Sequence, residues 1–515
     1  MNWSRRSFSQ KLWQSAVGFS TPLFFLDRCA TPVREILPVP PVELLIPTFL
    51  GNDQRRFYGR GQPSKFTGVD RFYLGTGLSD FGGLVEWSGA GWTGQPTLVR
   101  DRGKSYLIMG SFDHHLRKID LASNKEVWRY KFDDIVKGTA TIYVDQSASF
   151  DNQIVILQGS RQGINNSLTQ AEPITSLRAI SFRTGKELWQ LDIPLTDSYS
   201  RDHDGSPLYL GNGLIFTGAE NGMGYFLDSS TRKAKLRNGI IQPQIHASVQ
   251  LYQTSDIDRQ GGNLVTESSA SRLGNRLYIS AGSGHVFGID ITSKKIVWDF
   301  FIGADMDGSV VISQEGKLFV PIERQYIAGQ GGIIKLNPQK SPNQSVEWFL
   351  PTGNIKFEGW EGGVLGSVAL NDEYNPYDRF PALFATIALD GYLYIGCQSI
   401  LSGNTVLDPH QKVVYPTPLI IYKEFLGNSI ATPIFTDDHH LIVPTYNGVH
   451  WLKLEFAALP NHKKGAIPNK QGEWFTVKVL YQSVFMAGNS FEATPIIWDN
   501  FIHIASRDGY LYTIG

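Results

Sequence analysis

Short runs of alternating apolar and polar residues follow one another along the chain, each broken by Gly, Asn, Asp or Ser. A period of two places alternate side chains on opposite faces of a strand, so the pattern predicts many short β-strands and few helices. One spelling recurs: "GSFDHHLRKIDLASNKEVW" (110–128), "LRAISFRTGKELW" (177–189) and "GHVFGIDITSKKIVW" (284–298). Each is an apolar strand, a polar turn (Ser123-Asn124, Thr184-Gly185, Thr292-Ser293) and a second strand ending in Trp. Recurrence of one hairpin in one chain signals a repeat architecture.

A second element lies between the hairpins, with small residues leading into an apolar strand. It appears as "WTGQPTLV" (92–99), "KGTATIYV" (137–144), "DGSPLYL" (204–210), "ESSASRL" (267–273), "DGSVVIS" (307–313), "GSVALN" (366–371), "IATPIFT" (430–436) and "EATPIIW" (492–498). These eight copies are followed by a second strand, then by a third that often opens on Asp-Gly or Asn-Gly, as in "DGYLYIG" (390–396) and "DGYLYTIG" (508–515). Asx-Gly turns accept the positive φ of tight hairpins. The Trp-bearing run is the fourth, outermost strand. A single four-stranded sheet cannot bury both faces, so eight stacked around an axis make an all-β, eight-bladed β-propeller of antiparallel blades.

The last unit stops after its third strand, at Gly515. The unattached "GGLVEW" (82–87) is therefore expected to supply the missing outer strand, so that an N-terminal segment closes the ring. The stretches 142–176, 368–388, 403–426 and 456–471 are expected as loop insertions carrying binding surface. This divides the chain into residues 1–30, an N-terminal signal; 31–80, a Pro-rich linker and extension; and 81–515, the propeller.

The repeated pattern of small-Ser/Thr-Pro and strand, Asp-Gly and strand, then Thr-Gly-x-x-x-Trp resembles the quinoprotein-type, or PQQ-like, repeat from Gly82 to Gly515. The resemblance implies the propeller fold. For function it implies two different things. Members include proteins that bind or scaffold others in the bacterial envelope, and dehydrogenases that hold pyrroloquinoline quinone (PQQ) and Ca²⁺ on the propeller axis and oxidise alcohols or sugars.

Composition sharpens this picture. Gly 52, Phe 30, Tyr 21 and Trp 12 suit strands and tight turns, and the formal charge of −1 offers no broad attraction to nucleic acid or anionic lipid. Ser4-Arg5-Arg6-Ser7-Phe8 ahead of an apolar stretch resembles a twin-arginine export signal and implies a location in the periplasm or envelope. Membrane association is then expected only through export, or through a lipid on Cys29, although Asp27-Arg28 depart from the usual lipidation site. Cys397 is the only other cysteine, so no disulfide framework exists. A monomer is expected.

First strands of propeller blades line the axis, which gathers Thr93, Lys137, Asp204, Glu267, Asp307, Leu365, Ile430 and Glu492. Asp202 and Asp305 reinforce the ring through "DHDGS" and "DMDGS". Two like charges about 7 Å apart at an effective dielectric near 20 repel by roughly 2 kcal/mol, so four carboxylates require protons, basic partners or a cation. Asp204, Glu267, Asp307 and Glu492 are the candidate metal ligands, with Ca²⁺ the suited ion. In the dehydrogenase alternative, Asp307 and Asp204 would be the catalytic residues, and Lys137, Arg161, Trp360 and Glu361 would meet PQQ. Against that alternative, the ring is net negative, which opposes a tricarboxylate, and no adjacent cysteine pair is present. The binding and scaffolding role, with a protein or small-molecule ligand at the loop face or axial mouth, is the expected function. His114-His115 and His439-His440 sit adjacent on strands or turns, where neighbours point apart and do not chelate one ion.

Overall fold

The computed structural model describes residues 42–170, 172–460 and 465–515. The N-terminal segment expected as an export signal and Cys29 lie outside these residues. Eight antiparallel sheets are present, as expected, each a meander running from the axis outward. Blade 1 comprises Thr97–Asp101, Lys104–Gly110, His115–Asp120 and Lys125–Lys131; blade 2, Thr141–Val144, Ile154–Gly159, Leu177–Ser181 and Glu187–Leu191. Blades 3, 4 and 5 begin at Leu208–Gly211, Ser271–Leu273 and Val311–Ile312, and blades 6, 7 and 8 at Ala369–Leu370, Ile434–Thr436 and Ile496–Trp498. Among the described residues the only α-helix is the short Thr254–Arg259.

The recurring small residue before each first strand has a structural role. The Ser206 amide donates to Ser269 Oγ (2.8 Å), Ser269 to Ser309 (2.8 Å), Ser309 to Ser367 (3.0 Å) and Ser367 to Thr432 Oγ1 (2.8 Å). The Gln95 amide repeats the bond to Thr139 Oγ1 at 2.8 Å. Each hydroxyl therefore satisfies a buried amide of the blade before it, and the blades are tied around the axis by side chains short enough to fit there.

An N-terminal segment closes the ring, but it is not the expected one. Gly68–Tyr73 pairs antiparallel with Tyr510–Ile514, with Arg71 opposite Tyr512 and Phe72 opposite Leu511. The 82–87 segment instead joins a local hairpin, Leu84–Ser88 against Thr76–Asp80. Gly82 and Gly83, at φ 84° and 153°, turn the chain back on itself there, so a neighbour close in sequence captures the strand before the distant tail can.

Two of the expected loops contain second strands, Ile154–Gly159 and Leu383–Ile387. Both are buried throughout and show little alternation, so a period-of-two search passes over them. The insertions 403–426 and 456–471 largely prolong the hairpins of blades 6 and 7, through Val414–Phe425 and Trp474–Phe485.

Residues 43–60, expected as linker and extension, enter the propeller. Glu43–Ile46 adds an inner strand to blade 1, and Gly59–Arg60 pairs with Ile496–Trp498 of blade 8. Between them, carbonyls of Pro47, Asp53, Gln54 and Tyr58 accept from the amides of Ile142, Arg272, Ile312 and Ile497. Phe49, Leu50, Arg55 and Tyr58 are fully or almost fully buried. The segment thus runs across the inner strands of successive blades and plugs one end of the axis.

Candidate functional site

The other end of the axis is open. A cavity of about 600 Å³ is lined by Lys137 (blade 2), Glu267 (blade 4), Asp307 (blade 5), Ile430 and Tyr446 (blade 7), and Glu492 and Arg507 (blade 8), with Trp87, Trp92, Glu358 and Trp360 at its sides. Of the eight residues that the register gathers, Lys137, Glu267, Asp307, Ile430 and Glu492 line this cavity, while Thr93, Asp204 and Leu365 are buried. The position two residues before the belt hydroxyl faces the mouth in blades 4, 5 and 8. Leu365 and Ile430 pack with Trp92, Phe357, Trp360 and Tyr446, so one wall is apolar and aromatic while the rest is acidic.

Below the mouth the carboxylates fall into two groups. One ligand atom from each of Asp204, Glu220 and Glu267 lies within 4.8 Å of the others, and the same holds for Asp305, Asp307 and Glu323. The first group contains a cation: Lys137 Nζ pairs with Asp204. Burial pushes the Glu267 carboxyl up to about 7; Lys137 opposes the shift, and Asp204, Asp305 and Asp202 add to it. Burial likewise raises Asp204 and Glu220, and the neighbouring carboxylates hold Glu220 well above the ordinary range.

The four expected metal ligands are thus divided. Asp204 and Glu267 share the group that Lys137 enters, Asp307 belongs to the second group, and Glu492 accepts from Arg507 (2.8 Å) and Tyr446 Oη (2.9 Å). Of the residues expected to meet PQQ, Lys137 and Trp360 line the mouth. Arg161 turns to the hairpin, donating to Asp202 (2.8 Å), Ser79 Oγ (2.7 Å) and the Asp80 carbonyl (2.8 Å), with its guanidinium 4.0 Å from the Phe81 ring. Glu361 pairs with Arg324 at 2.9 Å.

Glu220 and Glu323 were not singled out in the sequence. Each follows the last residue of a second strand, Leu214–Ala219 and Leu318–Ile322, where blades 1 and 2 have Ser111 and Ser160. An acid at a strand end that carries Ser in sister repeats was the available signal. The paired histidines are structural: His114 Nε2 meets the Leu78 carbonyl, and His440 Nδ1 accepts from Trp451 Nε1.

These features define an eight-bladed propeller with an ionisable, aromatic-walled axial well, open at one end. A family model described as outer membrane protein assembly factor BamB matches residues 78–314. The crystal structure of BamB from Moraxella catarrhalis superposes with a TM-score of 0.50 at 13% identity, covering 87% of this chain and 99% of that one. The crystal structure of the computationally designed Ika8 protein gives a TM-score of 0.46 at 11% identity, covering 83% and 99%. No curated protein matches the chain. At such identities structural likeness speaks for the fold. Residues 78–314 are thus similar to the PQQ-like repeat family, and the structural likeness shows the β-propeller fold.

The well does not fit PQQ. The cofactor presents three carboxylates, and the mouth meets them with Glu267, Asp307, Glu358 and Glu492. Its two cations, Lys137 and Arg507, are engaged by Asp204 and Glu492. Asp204, the candidate acid–base residue beside Asp307, is 1% exposed behind Lys137. Cys397 is buried in blade 6 with no adjacent cysteine.

Proposed function

We propose that the protein is a binding or scaffolding propeller of the bacterial envelope, and that its axial mouth receives a basic side chain of a protein partner. The carrying observation is the lining: four carboxylates and three tryptophans around one cavity of about 600 Å³, with both cations already paired inside it. An ammonium or guanidinium entering there meets unspent negative charge and ring faces together. The envelope setting is supported by the matched family model, described as an outer membrane protein assembly factor, and by the twin-arginine-like N-terminus. Among the described residues no helix is long and apolar enough to cross a membrane.

Calorimetric titration with a lysine- and arginine-containing peptide, beside an acidic peptide of equal length, tests this. Only the basic peptide is expected to bind, and Trp360→Ala is expected to weaken it by about tenfold. Equal binding of both peptides, or indifference to Trp360→Ala, would contradict the assignment.

A further inference from the structure

A basic pocket lies on the face of blade 1 away from the mouth. The first strand of that blade carries the chain from Gly91 and Trp92, which line the mouth, to the turn at Arg102-Gly103. There a cavity of about 320 Å³ is lined by Asp101, Arg102, Lys104, Tyr106, Lys118 and Arg183. Its one carboxylate is spent: Asp101 accepts from Arg183 Nε at 3.0 Å and Nη2 at 2.8 Å. Asp120, the other carboxylate near Lys118, takes the Ser123 amide and hydroxyl, each at 3.0 Å. Among the described residues Arg102, Lys104 and Lys118 form no ion pair.

Blade 5 holds the same buried lysine with a partner. Lys335 stands opposite Trp348 at a ladder irregularity, as Lys118 stands opposite Trp128 in blade 1. The residue ahead of Trp348 is Glu347, which pairs with Lys335 at 3.0 Å and with Lys317 at 3.3 Å. The residue ahead of Trp128 is Val127, so blade 1 keeps the lysine and lacks its carboxylate. Lys118 is 4% exposed, and its ammonium makes one hydrogen bond, to the Phe182 carbonyl at 3.3 Å. It lies 3.8 Å from the Phe182 ring and 4.0 Å from that of Tyr106. An ammonium carries three donors, so two have no protein acceptor. Burial pulls its pKa down to about 8, with Asp101 opposing and Arg183 and Arg102 adding, as expected of a buried cation without its counter-charge.

We propose that Lys118, Arg102 and Lys104 bind a phosphate group, carried by a small soluble molecule or by a lipid headgroup, which takes the place that Glu347 holds in blade 5. Lys118 supplies the buried floor, and the exposed Arg102 and Lys104 supply the rim. Three unpaired cations beside an already neutralised carboxylate suit a doubly charged tetrahedral oxyanion better than a single carboxylate, because its several oxygens can meet donors arriving from different strands. The site is separate from the axial mouth in position and in sign: acids there take a cation, and bases here take an anion.

Full-length protein at low ionic strength is titrated with inorganic phosphate by calorimetry, and its sedimentation with phosphatidylglycerol vesicles is compared with that on phosphatidylcholine vesicles. Val127→Glu installs the carboxylate of blade 5 at a position 49% exposed, so it tests charge without disturbing the core. It is expected to weaken binding at least about tenfold, as is Arg102→Gln, whereas Lys317→Gln in blade 5 leaves binding unchanged. Binding of free phosphate that Val127→Glu removes supports the site and assigns a soluble ligand. Sedimentation with phosphatidylglycerol alone that Val127→Glu removes supports the site and assigns a headgroup. Failure of the wild-type chain to bind either probe would overturn the proposal, and so would binding that survives both Val127→Glu and Arg102→Gln.

Discussion

The indole Nε1 of Trp128, on the outer strand of blade 1, donates to the carbonyl of Phe182 in blade 2 at 3.0 Å. Lys118, opposite Trp128 in the ladder, reaches the same carbonyl at 3.3 Å. Blade 5 repeats the device. Trp348 Nε1 (2.9 Å) and its ladder partner Lys335 (2.8 Å) both donate to the Gln398 carbonyl of blade 6. Gly185, at φ 68°, leaves room for the ring, since a Cβ there would lie 2.9 Å from Trp128. Between blades 1 and 2, the Thr184-Gly185 turn and Trp128 are therefore two halves of one inter-blade latch. Trp128→Phe is expected to cost about 1 kcal/mol, because Lys118 still satisfies the carbonyl, and Gly185→Ala to cost more. Urea unfolding of the two variants checks the order.

The hydroxyl belt gives a second prediction. Ser309 Oγ is the acceptor for the buried amide of Ser269. Ser309→Ala strands that amide and is expected to destabilise the fold by about 1–3 kcal/mol, whereas Ser309→Thr keeps an acceptor and costs less. Thermal and urea unfolding of the pair provide the comparison.

Arg55 tests the axial plug. Its guanidinium, fully buried, donates to the carbonyls of Ala270 (2.8 Å), Phe49 (2.8 Å) and Ser206 (3.3 Å) and to Thr48 Oγ1 (2.7 Å). Burial pulls its pKa down to about 9, opposed by Asp53. Arg55→Ala strands several acceptors at once and is expected to cost about 3 kcal/mol or more. Arg55→Lys is not expected to rescue it, because one ammonium cannot span the fork of acceptors. Stability near that of the wild type in either variant would show that residues 43–60 do not hold the blades together.

Much of the fold was legible because the repeats spell their own contacts. The belt hydroxyls recur where one blade touches the next, and so do Trp128, Trp298 and Trp348, whose indoles reach the following blade. Ile154–Gly159 and Leu383–Ile387 were obscured because strands buried on both faces lose their alternation. The plug was obscured because an irregular segment that caps inner strands carries no period at all. At the site, the converging register of Lys137, Glu267, Asp307 and Glu492 was readable. The division into two groups was not, since it depends on where Glu220 and Glu323 arrive from second strands and on which carboxylate Lys137 selects.

Glu267 links the well to pH. Its folded carboxyl titrates at about 7 against an ordinary 4.5. Below 4.5 both folded and unfolded chains carry the proton and the group is neutral to stability. Between about 4.5 and 7 the unfolded chain releases the proton that the folded chain keeps, so stability falls across that window and levels off above it, where the buried acid is charged. Glu267→Gln is therefore expected to match the wild type near pH 5 and to exceed it at pH 8 by on the order of 2–3 kcal/mol. Unfolding free energies across that range give the comparison, and an advantage confined to acid pH would reverse the sign.

The affinity of the basic peptide as a function of pH tests the axial mouth most directly. Lys137, Asp204, Glu220, Asp305, Asp202 and Asp307 surround Glu267, and an incoming cation favours the ionised Glu267 among them. Binding should release a proton and tighten by up to about tenfold from pH 6 to pH 8, and Glu267→Gln should flatten that slope. Affinity that is level across this range in the wild type, or a slope that survives Glu267→Gln, would contradict recognition of a cation in the axial well.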